Sequence, residues 1–270
     1  MEGLPVDCLS EILSLTSPRE VCRLSTVSSS FRSAAESDAV WRKFLPYAAD
    51  DLVRRLADAL AFPSSNKEVF VRLCRRPLIF DTGRKSFGLE RSTGSIVYML
   101  SARELSITWG DDPMYWSWKS VPESRFAEAV ELRFISWLEI EARVSTESLS
   151  PHTLYRAYLV LSITKRAHGL DSVPAITWVE VAGTRVSRGK ALIQNGCGSE
   201  GRGGGDEGGG WSVPVGRDGD GWKEIELGEF VTGAGGGDGV EVRAGLKEVE
   251  GCQVKGGIVV EGIELRPKIL

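Results

Sequence analysis

Five cysteines (Cys8, Cys22, Cys74, Cys197 and Cys252) and two histidines (His152 and His168) are the side chains of this 270-residue chain that could bind a soft metal or pair a nucleophile with its base. Their spacing argues against both. No two cysteines form a CxxC pair, their number is odd, and two distant histidines do not complete a zinc site. The cysteines read as reduced thiols, buried or inert. His152 follows Pro151 in one turn and His168 precedes Gly169 in another, so both read as surface-loop residues. No nucleophile elbow accompanies them. The expectation is a chain with no catalytic residue, no metal and no cofactor.

Two further patterns could carry chemistry. Gly196, Gly198 and Gly201 spell G-x-G-x-x-G, which in a dinucleotide site cradles a pyrophosphate at the N-terminus of the following helix. Here the following residues are GRGGGDEGGG, the poorest helix former in the chain, and nine of the fifteen residues Gly196 to Gly210 are glycine. The tract reads as a flexible surface loop. Glu224, Glu226 and Glu229 in KEIELGEF form an acidic group near the end of the chain that could take part in a binding site. Period-two alternation already exposes Glu224 and Glu226, so solvent-facing carboxylates are the simpler reading.

The composition sets the frame for these residues. Hydrophobic residues make up 42% and charged residues 26%, values of an ordinary folded chain. With 33 basic and 37 acidic residues the net charge is -4, which offers no overall positive field for nucleic acid or anionic lipid. No apolar run is long enough to span a membrane. MEGLPVDCLSEIL lacks the basic segment and apolar core of a secretory signal, and no Asn-x-Ser/Thr acceptor is present. These features point to a cytoplasmic and nuclear protein.

Two architectures follow one another along the chain. Residues 1 to about 76 carry helical signals. Ser17, Pro18, Arg19 and Glu20 spell a capping box with proline at the first helical position, and Ser65 with Glu68 spells another before Val69, Phe70 and Leu73. Leu9, Ile12 and Leu13 share a face of a short preceding helix, Asp38 caps a turn carrying Trp41 and Phe44, and Leu52, Leu56 and Leu60 recur every fourth residue. Beyond Pro77 the pattern alternates with period two. A strand is expected over Leu132 to Val144, another through Tyr155, Ala157, Leu159, Leu161 and Ile163, and shorter ones at 96–100, 105–109, 176–181, 222–227 and 258–265. Helical patterns do not separate them, so βαβ units are excluded. The fold class is α+β multidomain, a small all-α domain followed by an antiparallel β-sandwich of the jelly-roll kind.

The segment LPVDCLSEILSLTSPREVCRLSTVSSSFRSAAESDAVWRKFL resembles an F-box over nearly its whole length: the Leu4 and Pro5 opening, the SPRE cap, the Val27, Ser28 and Phe31 stretch, and Trp41. The resemblance implies a domain over residues 1–48 that docks a Skp adaptor and so joins a cullin ubiquitin ligase, with a helical linker over 49–76. A domain of that size has a large surface for its core, so apolar side chains left exposed on its short helices are explained by a partner. Leu4, Pro5, Leu9, Ile12, Leu13, Val21 and Leu24 are the candidate contacts, each of which could instead pack internally.

The β part, residues 77–270, resembles the plant phloem lectins, the Nictaba-related proteins. It does so through LSARELSITWGDDPMYWSW, SRFAEAVELRFISWLEIEARVSTESLSPHTLYRAYLV, GDGWKEIELGEF and GGIVVEGIELRPK. The resemblance implies binding of N-acetylglucosamine oligomers or N-glycan cores, with Trp109 and Trp116 at the positions of two sugar-site tryptophans of the founding lectin. An exposed indole stacks well on the C–H face of a pyranose, and Gly110, Asp111, Asp112 and Pro113 form a turn that would bring Trp116 near Trp109. Asp111 and Asp112 could accept hydroxyl protons or simply form the turn. Trp118 shares the parity of Trp116 and is a third candidate, while Trp137 and Trp178 are assigned to packing. Together the resemblances imply a substrate receptor of a ubiquitin ligase that recognises glycosylated targets. The alternatives are a groove of the same fold that binds a protein surface without sugar, and a stress-related binding protein that acts apart from any ligase.

Overall fold

A computed structural model describes residues 4–46, 65–193, 211–217, 221–233 and 239–269. The recurring leucines Leu52, Leu56 and Leu60, the glycine tract with its G-x-G-x-x-G, and Cys197 lie outside these residues. The chain divides into two compact units. One comprises Met1–Leu78, Phe87–Val97 and Ile269–Leu270; the other comprises Ile79–Ser86 and Tyr98–Lys268.

The first unit is built on helices α1 (Val6–Ser14), α2 (Pro18–Leu24), α3 (Ser29–Ala35), α4 (Asp38–Phe44) and α5 (Asn66–Arg75). Both serine caps form as read: Ser17 Oγ accepts from the Glu20 amide, and Ser65 Oγ accepts from the Glu68 amide. Ser37, not Asp38, stands at the N-cap of α4. The Asp38 carboxylate instead accepts from the Asn66 amide at 2.8 Å and ties the starts of α4 and α5 together. Trp41 fills the centre, its Nε1 donating to the Ala35 carbonyl at 2.7 Å and its ring 5.2 Å from that of Phe70. Leu9, Leu13 and Val21 are fully buried around it.

After the helices the chain forms β1 (Leu78–Phe80), β2 (Lys85–Leu89) and β3 (Ile96–Ser101). The second unit continues with β4 (Ser106–Ile107), β5 (Trp116–Lys119), β6 (Ala129–Leu132), β7 (Leu138–Ser145), β8 (Leu154–His168), β9 (Ala175–Val181), β10 (Thr184–Ala191), β11 (Val215–Gly216), β12 (Lys223–Val231), β13 (Glu241–Glu248) and β14 (Gly256–Pro267). It is an antiparallel sandwich. One sheet runs β3-β14-β8-β12-β11 with β6 and β5 added beside β14, and the other runs β10-β9-β13-β7-β4. Tyr155, Ala157, Leu159 and Leu161 of β8 and Ile225 and Leu227 of β12 are buried on alternate positions, as period two requires.

The expected single strand from Leu132 to Val144 is two strands in different sheets. β6 pairs with β5 and β14, β7 pairs with β13 and β4, and residues 133–137 carry the chain from one sheet to the other. Alternation runs through both halves, which is why periodicity alone joined them. Trp137 therefore stands ahead of a strand instead of inside one, and at 49% exposure it does not pack in the core; Trp178 does, at 3%.

Strand β14 is buried along almost its whole length yet carries Glu261 and Glu264. Burial alone would raise the Glu264 pKa, but the guanidinium groups of Arg125, Arg217 and Arg266 outweigh it and hold the carboxyl below the usual range. At Glu261 burial wins and the pKa is raised, although Oε1 accepts from the Arg125 amide at 2.8 Å and Ser124 Oγ at 3.0 Å.

Candidate functional site

Strand β4 is only two residues long, and the segment after it turns sharply. Thr108 N donates to the Glu139 carbonyl, and then Trp109 adopts φ +53°, a left-handed conformation rare for a bulky side chain. A run of tight turns holds it there. Gly110 N donates to Ile107 O, Asp112 N to Trp109 O, and the Asp112 carbonyl accepts from Tyr115 N and Trp116 N. The Asp112 side chain accepts from Met114 N at 2.8 Å, the local bond that makes aspartate a turn residue.

This loop turns Trp109 outward at 50% exposure and stacks it on Tyr115, with centroids 4.9 Å apart and planes inclined by 30°. Tyr115 in turn meets the ring of Phe134 edge to face at 5.6 Å. Trp109, Tyr115 and Phe134 thus form a ladder of three rings open to solvent. Met114 and Trp137, exposed at 58% and 49%, lie on the same two chain segments.

Trp116 is not the second half of this platform. It is 1% exposed, in the core, and its Nε1 donates to the Thr108 carbonyl at 2.9 Å. Trp118 is half-buried, its Nε1 donates to the Gly110 carbonyl at 3.1 Å, and the Arg103 guanidinium covers its ring at 3.5 Å. Arg103 is fixed in place by Glu128. The reason is geometric: alternation puts Trp116 and Trp118 on one face of β5, and that face turns toward the loop before it. Their indole N–H groups reach the carbonyls on either side of Trp109. The two tryptophans brace the loop, and only Trp109 faces outward.

The crossover carrying Phe134 and Trp137 is held by Lys255. Ile135 and Lys255 exchange both backbone hydrogen bonds, at 2.8 and 2.7 Å. The Lys255 ammonium, 1% exposed, donates to Ser136 O at 2.6 Å and to Gln253 O at 3.1 Å and pairs with buried Glu248. Gly256 follows because a Cβ there would run into the Arg133 carbonyl. Sequence reading missed Tyr115, Phe134 and Lys255; the adjacent Tyr-Trp pair was the available signal, since alternation must send one ring out where the other goes in.

The acidic group of β12 is occupied elsewhere. Glu229 accepts from Arg156 at 2.6 Å and Lys268 at 2.8 Å, Glu226 lies 3.8 Å from Arg156, and Glu224 pairs with Arg266. The Lys268 and Arg156 hydrogen bonds hold the Glu229 pKa below its ordinary value. These carboxylates form a cross-strand ladder with basic partners. Among the described residues no group of three or more His, Cys, Asp or Glu side chains could hold a metal ion.

In the helical unit the seven candidate contacts separate into two sets. Leu4 and Ile12, at 45% and 47%, are exposed together with Pro5, and Leu24 is half-buried. Leu9, Leu13 and Val21 are exposed by 1% or less, so the folded unit withholds them from any partner. Ile12 and Leu13 lie about 100° apart around the helix, which takes one out of the core that holds the other. Val6, Leu15 and Val27 are exposed apolar side chains of the same unit.

An F-box-like family model matches residues 1–46, and the phloem protein 2 family model matches residues 95–267. The chain belongs to the phloem protein 2 family. Among its relatives in Arabidopsis thaliana, F-box protein PP2-B15 is 43% identical over 99% of this chain and 97% of its own length. F-box protein VBF is 42% identical over 99% and 100%. Among solved structures, a family 35 carbohydrate binding module from Clostridium thermocellum is similar at 12% identity over 63% of this chain and 96% of that one. The TM-score is 0.33, a likeness too loose to bear on ligand or activity. The ring ladder lies within the residues matched to phloem protein 2, and the F-box-like region of the chain contains the exposed Leu4, Pro5 and Ile12.

Proposed function

We propose that this chain is the substrate-recognition subunit of an SCF-type cullin ubiquitin ligase. Its F-box-like region docks a Skp adaptor and its phloem protein 2 domain binds N-acetylglucosamine-containing glycans on target proteins, in the cytoplasm and nucleus. The observation that carries the reading is the outward ladder of Trp109, Tyr115 and Phe134. Its flat apolar rings match the C–H face of a pyranose, and Asp111, exposed beside Trp109, supplies an acceptor for ring hydroxyls. One sugar on such an open surface binds near millimolar, about -4 kcal/mol, so several units along the ladder are needed for useful affinity. The adaptor docks on the exposed apolar side chains Leu4, Pro5, Ile12 and Leu15.

The chain performs no chemistry itself; it brings a target to the ligase. A glycan array with the full chain, beside co-precipitation with a Skp adaptor, tests both halves. Binding to N-acetylglucosamine oligomers that is lost in Trp109→Ala supports the glycan half. No signal on any glycan would transfer the ladder to a protein ligand, and no adaptor in the precipitate would remove the ligase. Release of sugar from chitin oligomers would contradict the non-catalytic reading.

A further inference from the structure

The helical unit contains a cleft of about 730 Å3 between α2, α5 and the turn at Arg91 and Ser92. Its charge is one-sided. Arg19, Arg23, Lys67, Arg75 and Arg91 line it, and among its described lining residues there is no carboxylate. Two of the five cations have partners: Arg23 pairs with Glu20 at 3.1 Å and Lys67 with Glu36 at 2.6 Å. Arg19, Arg75 and Arg91 are exposed and pair with no carboxylate among the described residues.

Glu90, the residue before Arg91, is held by its own turn. The Glu90 carboxylate accepts from Ser92 N at 2.9 Å, from Thr93 N at 2.7 Å and from Thr93 Oγ1 at 2.9 Å, which fixes it in the loop. The same turn is tied to the start of α2, where Arg19 N donates to the Ser92 carbonyl at 3.3 Å. Arg19 and Arg91 are thereby brought to one wall, while Arg75 ends α5 on another. Cys74, between them, adds no negative charge, because burial, reinforced by Glu90 and opposed by Arg91, raises its thiol pKa to about 11.

Three uncompensated guanidinium groups around one concavity repel one another, and a multiply charged anion relieves that repulsion. Four of the five cations are arginine, whose planar fork pairs with phosphate oxygens through two parallel hydrogen bonds. The volume lies in the range of small-molecule sites, and Pro18, Trp41, Phe70 and Val71 supply an apolar wall. We infer that this cleft is a binding site for a small molecule carrying two or more phosphate groups, held by Arg19, Arg75 and Arg91.

Isothermal titration of the full chain at fixed ionic strength tests this, with pyrophosphate, ADP and inorganic sulfate as probes. The expected result is saturable one-site binding of pyrophosphate, weaker by at least about tenfold in Arg19→Gln/Arg91→Gln and weakened as the salt concentration rises. ADP that binds more tightly than pyrophosphate assigns the apolar wall to an organic group, and equal affinity assigns the site to the phosphates alone; either supports the inference. Arg75→Gln alone, at an exposed helix end, is expected to weaken binding several-fold and keeps the test independent of the double variant's folding. Absence of saturable binding overturns the inference, as does undiminished binding in the folded variants. Sulfate binding as tight as pyrophosphate, or binding of poly-glutamate without pyrophosphate, overturns it too.

Discussion

Replacing Trp116 by phenylalanine separates a brace from a binding surface. The indole is 1% exposed and its Nε1 donates to the Thr108 carbonyl at 2.9 Å. Phenylalanine leaves that carbonyl without its donor, at a cost of about 1 to 3 kcal/mol. Losing the second ring removes roughly another 1 kcal/mol of buried apolar surface. Trp116→Phe should therefore cost about 2 to 4 kcal/mol out of a total near 5 to 15. In urea denaturation that is a midpoint lowered by roughly 1 M at unchanged slope. Trp118→Phe should cost less, about 1 to 2 kcal/mol, since the ring is half-buried and loses one hydrogen bond and part of an arginine contact. Trp109→Gly should cost least. The stacking on Tyr115 is worth about 0.5 to 1.5 kcal/mol, and relief of the positive φ returns about 1 kcal/mol. A Trp116→Phe variant within about 0.5 kcal/mol of the parent, or Trp109→Gly as the most damaging of the three, would refute the bracing argument.

Three other outcomes follow from the same contacts. Lys255→Met strands buried Glu248 and should cost about 3 to 5 kcal/mol by thermal or urea unfolding, with Glu248→Met in addition restoring much of it; equal loss in the double variant would contradict a coupled pair. Glu261→Gln should raise the melting temperature at pH 7 and lose that advantage in acid. A carboxyl whose folded pKa is raised favours the folded state while protonated and loses that contribution as pH rises through the folded value, and Oε1 of glutamine still accepts both bonds. A pH-independent effect would refute this. Ile12→Glu should abolish co-precipitation of the adaptor with little change in melting temperature, whereas Leu9→Ala should cost about 2 to 5 kcal/mol because Leu9 is buried; the reverse pattern would reassign the two faces of α1.

The features legible from the sequence were those set by neighbours in the chain. The serines at 17 and 65 cap their helices because the bond they make lies three residues away. Strands β8 and β12 announce themselves by alternation, and β9 and β14 by runs rich in β-branched residues. What escaped depends on partners far along the chain. The break between β6 and β7 leaves parity undisturbed, so only the change of sheet reveals it. Strand β10 is a polar edge, exposed along most of its length, and offers alternation nothing to detect. In the ring ladder, the exposure of Trp109 and the burial of Trp116 are not separable from the motif, because the direction of β5 relative to its preceding loop decides which indole faces water. Lys255 looks in sequence like any surface lysine; its burial is imposed by the crossover it holds.

The claim that the open ring ladder is a saccharide platform is tested most directly by titrating the full chain with an N-acetylglucosamine trimer and following tryptophan fluorescence. The expected result is a saturable change that disappears in Trp109→Ala and persists in Trp211→Ala, another half-exposed tryptophan of the same unit. A response unchanged in Trp109→Ala, or none in the parent protein, would contradict it.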